Sequence, residues 1–256
     1  MSDKAPAHRV TTEPCAKRIR VIFNGETVAD TLSALLLFEP PITPVYYIPL
    51  EDIPKAFREP TDHATHCPFK GDATYWNIRV GDRVAENALW SYPNPIGAVP
   101  ELKGHAAFYW NRMDRWLEED EEVFVHVRDP HVRLDILPSS RRVQIGLGGT
   151  TLADSTRALF LFETGLPVRY YIPAEDVAQD LLARSELETA CPYKGVAGYH
   201  HLDLDGSRHE NLVWHYAHPV REAEPIRDYL CFYNEQVDIS IDGKAQARPR
   251  TKWSPR

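Results

Sequence analysis

The strongest constraint on this chain is that it repeats itself. Lys17 to Trp110 lies over Arg141 to Asn234 without a gap, and Cys191-Pro192 follows Cys67-Pro68 by 124 residues. Ala29-Asp30 matches Ala153-Asp154, and Leu37-Phe38-Glu39 matches Leu161-Phe162-Glu163. Tyr46-Tyr47-Ile48-Pro49, followed by Glu51-Asp52, matches Tyr170-Tyr171-Ile172-Pro173, followed by Glu175-Asp176. The register continues through Tyr75 and Tyr199, Asn87 and Asn211, Trp90-x-Tyr92 and Trp214-x-Tyr216, and Phe108-Tyr109 and Phe232-Tyr233. Tandem duplication is the economical explanation, so the 256 residues predict two similar modules.

The expected organisation is a disordered N-terminal tail over 1–14, a first module over 15–127, a linker over 128–138, a second module over 139–244 and a basic tail over 245–256. Past Trp110 the first copy reads as carrying an extra acidic segment, Asn111 to Glu122, an insertion or a helical spacer. Val123 to Val127 then resumes the match to Val237 to Ile241.

Within each copy, short runs of alternating apolar residues are separated by turn signals, the pattern of half-buried strands. Ile19 to Phe23, Asn24-Gly25 and Thr27 to Ala29 read as a hairpin, because Asn-Gly supplies the two positive φ angles of a type I′ turn. Gly148-Gly149 holds that place in the second copy, and Gly81-Asp82 and Asp205-Gly206 mark another hairpin. One short helix of about two to three turns is expected after each Tyr-Tyr-Ile-Pro strand, over Glu51 to Phe57 and Ala174 to Ala183, with carboxylates in its first turn. The predicted fold is mainly β (α+β): two modules of antiparallel strands with one short helix each, packed as a pseudo-dimer.

The string Thr65-His66-Cys67-Pro68-Phe69-Lys70-Gly71-x-Ala73-x-Tyr75, with the preceding Tyr-Tyr-Ile-Pro and the following Trp90-x-Tyr92, resembles the domain of unknown function 427 (DUF427) family. Thr189-Ala190-Cys191-Pro192-Tyr193-Lys194-Gly195-x-Ala197-x-Tyr199 fits it as well. Arg128-Asp129-Pro130, Arg133-x-Asp135 and Ser139-Ser140-Arg141 look like the junction in tandem, bacterial members. The resemblance implies a compact β-tent fold, related in shape to zinc-binding or sulfoxide-reducing modules. This chain lacks their paired CxxC ligands, so no metal is carried over. A nucleotidyltransferase label is sometimes attached to that family. Such chemistry needs acidic pairs to hold Mg²⁺ against a triphosphate. Asp203-x-Asp205 is the one such pair, and the first copy has Arg79-x-Gly81 there.

Composition narrows the function classes. A net charge of -8 disfavours nucleic-acid binding, which needs a basic face. With no transmembrane stretch, no signal-peptide pattern in Met1 to Pro14, and four scattered cysteines (Cys15, Cys67, Cys191 and Cys231), the chain is expected to be cytoplasmic with free thiols. No cofactor and no membrane partner is expected.

The chemistry-bearing candidates lie in the repeated motifs. Cys67 and Cys191 are candidate nucleophiles, with Lys70 and Lys194 three residues on as candidate acid-base or Schiff-base amines. The bland alternatives are a buried thiol opening a tight turn and a structural Glu-Lys pair. Glu39 and Glu163 are the candidate lysine partners. With Tyr47, Tyr75, Trp90 and Tyr92, and Tyr171, Tyr199, Trp214 and Tyr216, they would line one ligand pocket per copy, or simply pack as core. The second copy also has His200, His201, Asp203, Asp205, His209 and His215. Of these, His201, Asp203 and Asp205 alternate onto one strand face, a weak metal candidate against a solvated hairpin. The leading expectation is a module binding a small anionic or polar metabolite. An enzyme using Lys or Cys, and a structural or interaction module, are the alternatives.

Overall fold

A computed structural model describes residues 8–255. The chain divides into two compact units between Asp129 and Pro130. The first contains β1 (Thr11–Pro14), β2 (Ile19–Phe23), β3 (Glu26–Thr31), β4 (Leu35–Glu39), β5 (Ile42–Pro49), β6 (Arg58–Cys67), β7 (Gly71–Val80), β8 (Arg83–Ser91), β9 (His105–Phe108), β10 (Arg115–Glu118) and β11 (Glu121–Val123). The second contains β12 (Leu134–Pro138), β13 (Val143–Leu147), β14 (Thr150–Ser155), β15 (Leu159–Glu163), β16 (Arg169–Ile172), β17 (Leu182–Cys191), β18 (Gly195–Leu204), β19 (Ser207–His215), β20 (Leu230–Phe232), β21 (Asp238–Ile241) and β22 (Lys244–Ala245).

Each unit pairs these strands into a seven-stranded sheet, β1-β4-β5-β9-β8-β7-β6 or β12-β15-β16-β20-β19-β18-β17. Each also has a four-stranded sheet, β11-β10-β2-β3 or β22-β21-β13-β14. All ladders between named strands are antiparallel, so the mainly β, duplicated reading holds. Alternation along Ile19-Arg20-Val21-Ile22-Phe23 buries every second residue. In the first unit the inward side chains of both sheets, among them Val21, Phe23, Ile48 and Phe108, form one core. A second cluster, with Tyr47, Tyr75 and Tyr92, covers the other face of the large sheet. The adjacent tyrosines of Tyr46-Tyr47 therefore enter different cores, as strand pleating requires. No helix among the described residues is long and apolar enough to cross a membrane.

Five details differ from the expectations. The single short helix is instead a pair of one-turn 3-10 segments: Leu50–Asp52 and Lys55–Phe57 in the first unit, Ala174–Asp176 and Gln179–Leu181 in the second. In the first, Pro54 has no N–H and pushes Ile53 to an extended φ of -114°. In the second no proline intervenes, but Val177 bridges Ala153 and Ala178 donates to the Leu152 carbonyl, so backbone that would propagate a helix is held by β14.

The acidic segment is neither an insertion nor a helical spacer. Arg115–Glu118 pairs with β2 as Asp238–Ile241 pairs with β13, Glu118 facing Ile19 where Ile241 faces Val143. Glu119 and Asp242, at φ 52° and 51°, begin equivalent turns, and each carboxylate accepts a backbone N–H, from Arg18 and Arg142. Residues 1–7 of the expected N-terminal tail lie outside the described residues, and its last four form β1. The expected linker ends in β12, whose Asp135 faces Phe162 as Thr11 faces Phe38. The C-terminal tail is seated on the second unit: Gln246 donates to the Ile239 carbonyl, Arg248 pairs with Asp238, and Thr251 donates to Glu235 at 2.6 Å.

Candidate functional site

The repeated Cys-Pro-aromatic-Lys-Gly motif is the turn that joins β6 to β7 and β17 to β18. The Lys70 N–H donates to the Cys67 carbonyl, as Lys194 does to Cys191, both at 3.3 Å. Gly71 and Gly195 follow at φ +97° and +101°, where a side chain is strained, and space is short as well. A Cβ would stand 3.2 Å from the Asn94 carbonyl oxygen in one copy and 3.0 Å from that of His218 in the other. The turn is thereby pressed against the segment after β8 or β19, and the lysine carbonyl accepts the N–H of Ile96 or Val220.

This posture carries the lysine side chain to the end of the strand 31 residues earlier. Lys70 pairs with Glu39, and Lys194 Nζ lies 2.5 Å from Glu163 Oε2. All four side chains are about nine-tenths buried. Glu39 also meets His8 Nε2 at 2.8 Å, and the His8 ring stacks on Phe69 at 3.7 Å. Burial alone would raise the Glu39 carboxyl, but Lys70 and His8 outweigh it and hold the group below the usual glutamate range.

Behind each pair stands a row of aromatic side chains. Trp90 donates its indole N–H to the Tyr47 hydroxyl at 3.2 Å, and Trp214 to Tyr171 at 3.1 Å. Thr65 and Tyr75, like Thr189 and Tyr199, share a hydroxyl hydrogen bond of 2.8 Å. The Tyr92 hydroxyl lies close enough to the Cys67 thiol for its ionisation to be influenced by the thiol. Burial raises Tyr47, Tyr92, Tyr171 and Tyr216 well above the ordinary phenol range, so they stay protonated and keep a hydroxyl proton to donate. All four cysteines are free, with Cys15 and Cys231 buried and Cys67 and Cys191 half-buried.

The expected site residues thus come together twice. They form packed clusters of mostly buried side chains, and two cavities, of about 150 Å³ beneath the C-terminal tail and about 260 Å³ beside Arg157 and Tyr229, are lined by other residues. The weak metal trio is not assembled. Asp203 is gripped by Arg208 at 2.7 and 2.6 Å, His201 Nδ1 accepts the Asn211 N–H, and Asp205 forms the turn at φ 49°. Among the described residues no three histidine, cysteine or acidic groups converge as a metal site.

Sequence reasoning missed two parts of this region. One is His8. The other is Arg169, which is buried and holds Glu235 through two hydrogen bonds of 2.7 and 2.8 Å. Its guanidinium also lies 5.6 Å from the Trp214 ring, 5.9 Å from Tyr233 and 5.4 Å from Trp253. The available signal was a charge in an otherwise apolar strand, at the place where the first copy has Val45.

A family model described as a domain of unknown function, DUF427, matches residues 11–119 and again 135–243. Both ends of the two matches are offset by the same 124 residues as the repeat. A comparison with curated proteins found no match.

Proposed function

The chain belongs to the DUF427 family in both its halves, and from that premise we propose that each module binds a small polar or anionic metabolite beside its Lys–Glu pair, in the cytoplasm. The observation that carries the reading is the doubled ion pair, Lys70–Glu39 and Lys194–Glu163, set against protonated tyrosines. Burying two charges is expensive, and a well-packed apolar pair of the same volume is often more stable. A chain that keeps the arrangement at both places after duplication has a use for the charge. An incoming carboxylate or phosphate would share the ammonium with the glutamate and take hydrogen bonds from the tyrosine hydroxyls. In the first module His8, half-exposed on Phe69, is the group such a ligand would displace.

Binding is favoured over catalysis because tyrosines held protonated supply donors and no base. The structural reading has one observation behind it, the packed cluster: the pair would then serve only to clasp the turn onto the sheet. The two separate experimentally. Native mass spectrometry of the full chain with a defined mixture of amino acids, dicarboxylates and sugar phosphates should retain one adduct per module. The paired neutral variants Lys70→Met/Glu39→Gln and Lys194→Met/Glu163→Gln, checked for fold by circular dichroism, should each remove one. Identical adducts on folded variants, or none on the wild type, would leave the clasp.

A further inference from the structure

The second copy departs from the first at four neighbouring positions. Pro60, Thr74, Trp76 and Ser91 are replaced by Arg184, Gly198, His200 and His215. The register of β18 and β19 places Gly198 opposite His215 and His200 opposite Val213. The two histidines are therefore diagonal neighbours on one face of the sheet. Their ring centroids are 5.0 Å apart, with planes at 42°. Gly198 is what lets them approach, since a Cβ there would stand 2.8 Å from Cε1 of His215.

We propose that His200 and His215 form a two-histidine site for a divalent transition-metal ion, zinc, nickel or copper, peculiar to the second module. Two imidazoles bound through nitrogen at about 2.0–2.1 Å to one tetrahedral ion have their ring centres about 5 Å apart, the separation already present. Nδ1 of His215 is sealed from solvent and has no hydrogen-bond partner among the described residues, so Nε2 is the nitrogen that would face an ion and its water. Burial lowers both histidines from their ordinary value, helped at His200 by the neighbouring His215, Arg184 and His201 and opposed at His215 by Asp228; the lowering favours the neutral imidazole that a metal needs. Arg184, opposite His200 on β17, is exposed, and its charge acts on both histidines.

Imidazole pairs suit zinc, nickel and copper, and exclude magnesium and calcium, which require oxygen ligands. No third histidine, cysteine or carboxylate joins the pair among the described residues, so water or an exogenous donor completes the shell. Such a site is open in the manner of catalytic zinc centres, which keep a coordination position free.

The test uses the full chain, freed of metal and titrated calorimetrically with zinc chloride and nickel chloride. One ion per chain should bind in the micromolar range. His200→Trp and His215→Ser restore the residues that the first copy carries and accepts. Each should weaken binding on the order of tenfold or more while the metal-free melting temperature holds, and His209→Ala should change nothing. Copper(II) should give a paramagnetic resonance spectrum with two nitrogen couplings, reduced to one in either variant. Binding only in the millimolar range, or binding that both variants leave intact, would overturn the proposal. Neither outcome bears on the Lys–Glu reading, whose residues the variants leave alone.

Discussion

Val45 and Arg169 occupy the same place in the two copies of one strand, and around them the copies diverge. In the first, Asn111 stands where the second has Glu235, and Tyr109 is 38% exposed beneath Arg112. In the second, Arg169 is buried and Glu235 takes it bidentately. Tyr233 is half-buried, and the C-terminal segment lies over the region through Thr251 and Trp253. The difference teaches that one charged core residue reorganises its surroundings. A guanidinium in that position needs a carboxylate, the carboxylate needs further donors, and a segment of chain closes over both. The strand order around them is unchanged.

The largest expected effect follows from that contrast. Arg169→Ala leaves Glu235 buried without its cation and should cost the second module about 3–5 kcal/mol, whereas Val45→Ala should cost the first only about 1 kcal/mol. The joint change Arg169→Val/Glu235→Asn, which installs the first copy's pair, should recover most of the loss. Urea unfolding followed by Trp fluorescence reads all three, and equal losses in the two modules would remove the asymmetry.

The Lys–Glu pairs give an intermediate effect. Lys194→Met should destabilise by about 2–3 kcal/mol through the stranded Glu163. Lys70→Met should cost less, because Glu39 keeps His8 at 2.8 Å. A further His8→Ala change should bring the two losses together in the same assay.

Acid gives the smallest effect. Glu235 is pushed up by burial but pulled below the glutamate range by Arg169 and Thr251, and Glu39 is likewise lowered by Lys70 and His8. A carboxyl whose folded pKa lies below its unfolded one contributes stability that is fully present above the unfolded value, near 4.5 for these residues. That contribution is lost as pH falls through the depressed folded value. Stability measured from pH 6 downward should therefore begin to fall near pH 4.5, and Arg169→Val/Glu235→Asn should remove part of the slope.

The repeat made much of this legible. Duplicated spacing located both turns, the alternation of Ile19 to Phe23 located the buried face, and Asn24-Gly25 gave a turn with φ 49° and 81°. The pairing of Glu39 with Lys70 was foreseen as well. What the sequence concealed was long-range. Arg115–Glu118 looks like the start of an acidic loop, because its strand character comes from pairing with β2 and from burial of Trp116, Leu117 and Glu118. In the second copy the helix after Tyr-Tyr-Ile-Pro gives way to two contacts with β14, the Ala153–Val177 bridge and the Ala178 N–H on the Leu152 carbonyl. Arg169 and the tail were hidden because the carboxylate and the tryptophan that explain the arginine lie 66 and 84 residues downstream.

The closure of the small sheets has a kinetic consequence. Ile19 meets Glu118 and Val143 meets Ile241, partners roughly a hundred residues apart, so a large loop entropy must be overcome before those strands reward it. Each module can complete its four-stranded sheet only when its last strands arrive. Refolding should therefore be slow for units of this size, with β10 and β21 docking late and amide exchange in β2 and β13 remaining fast until they do.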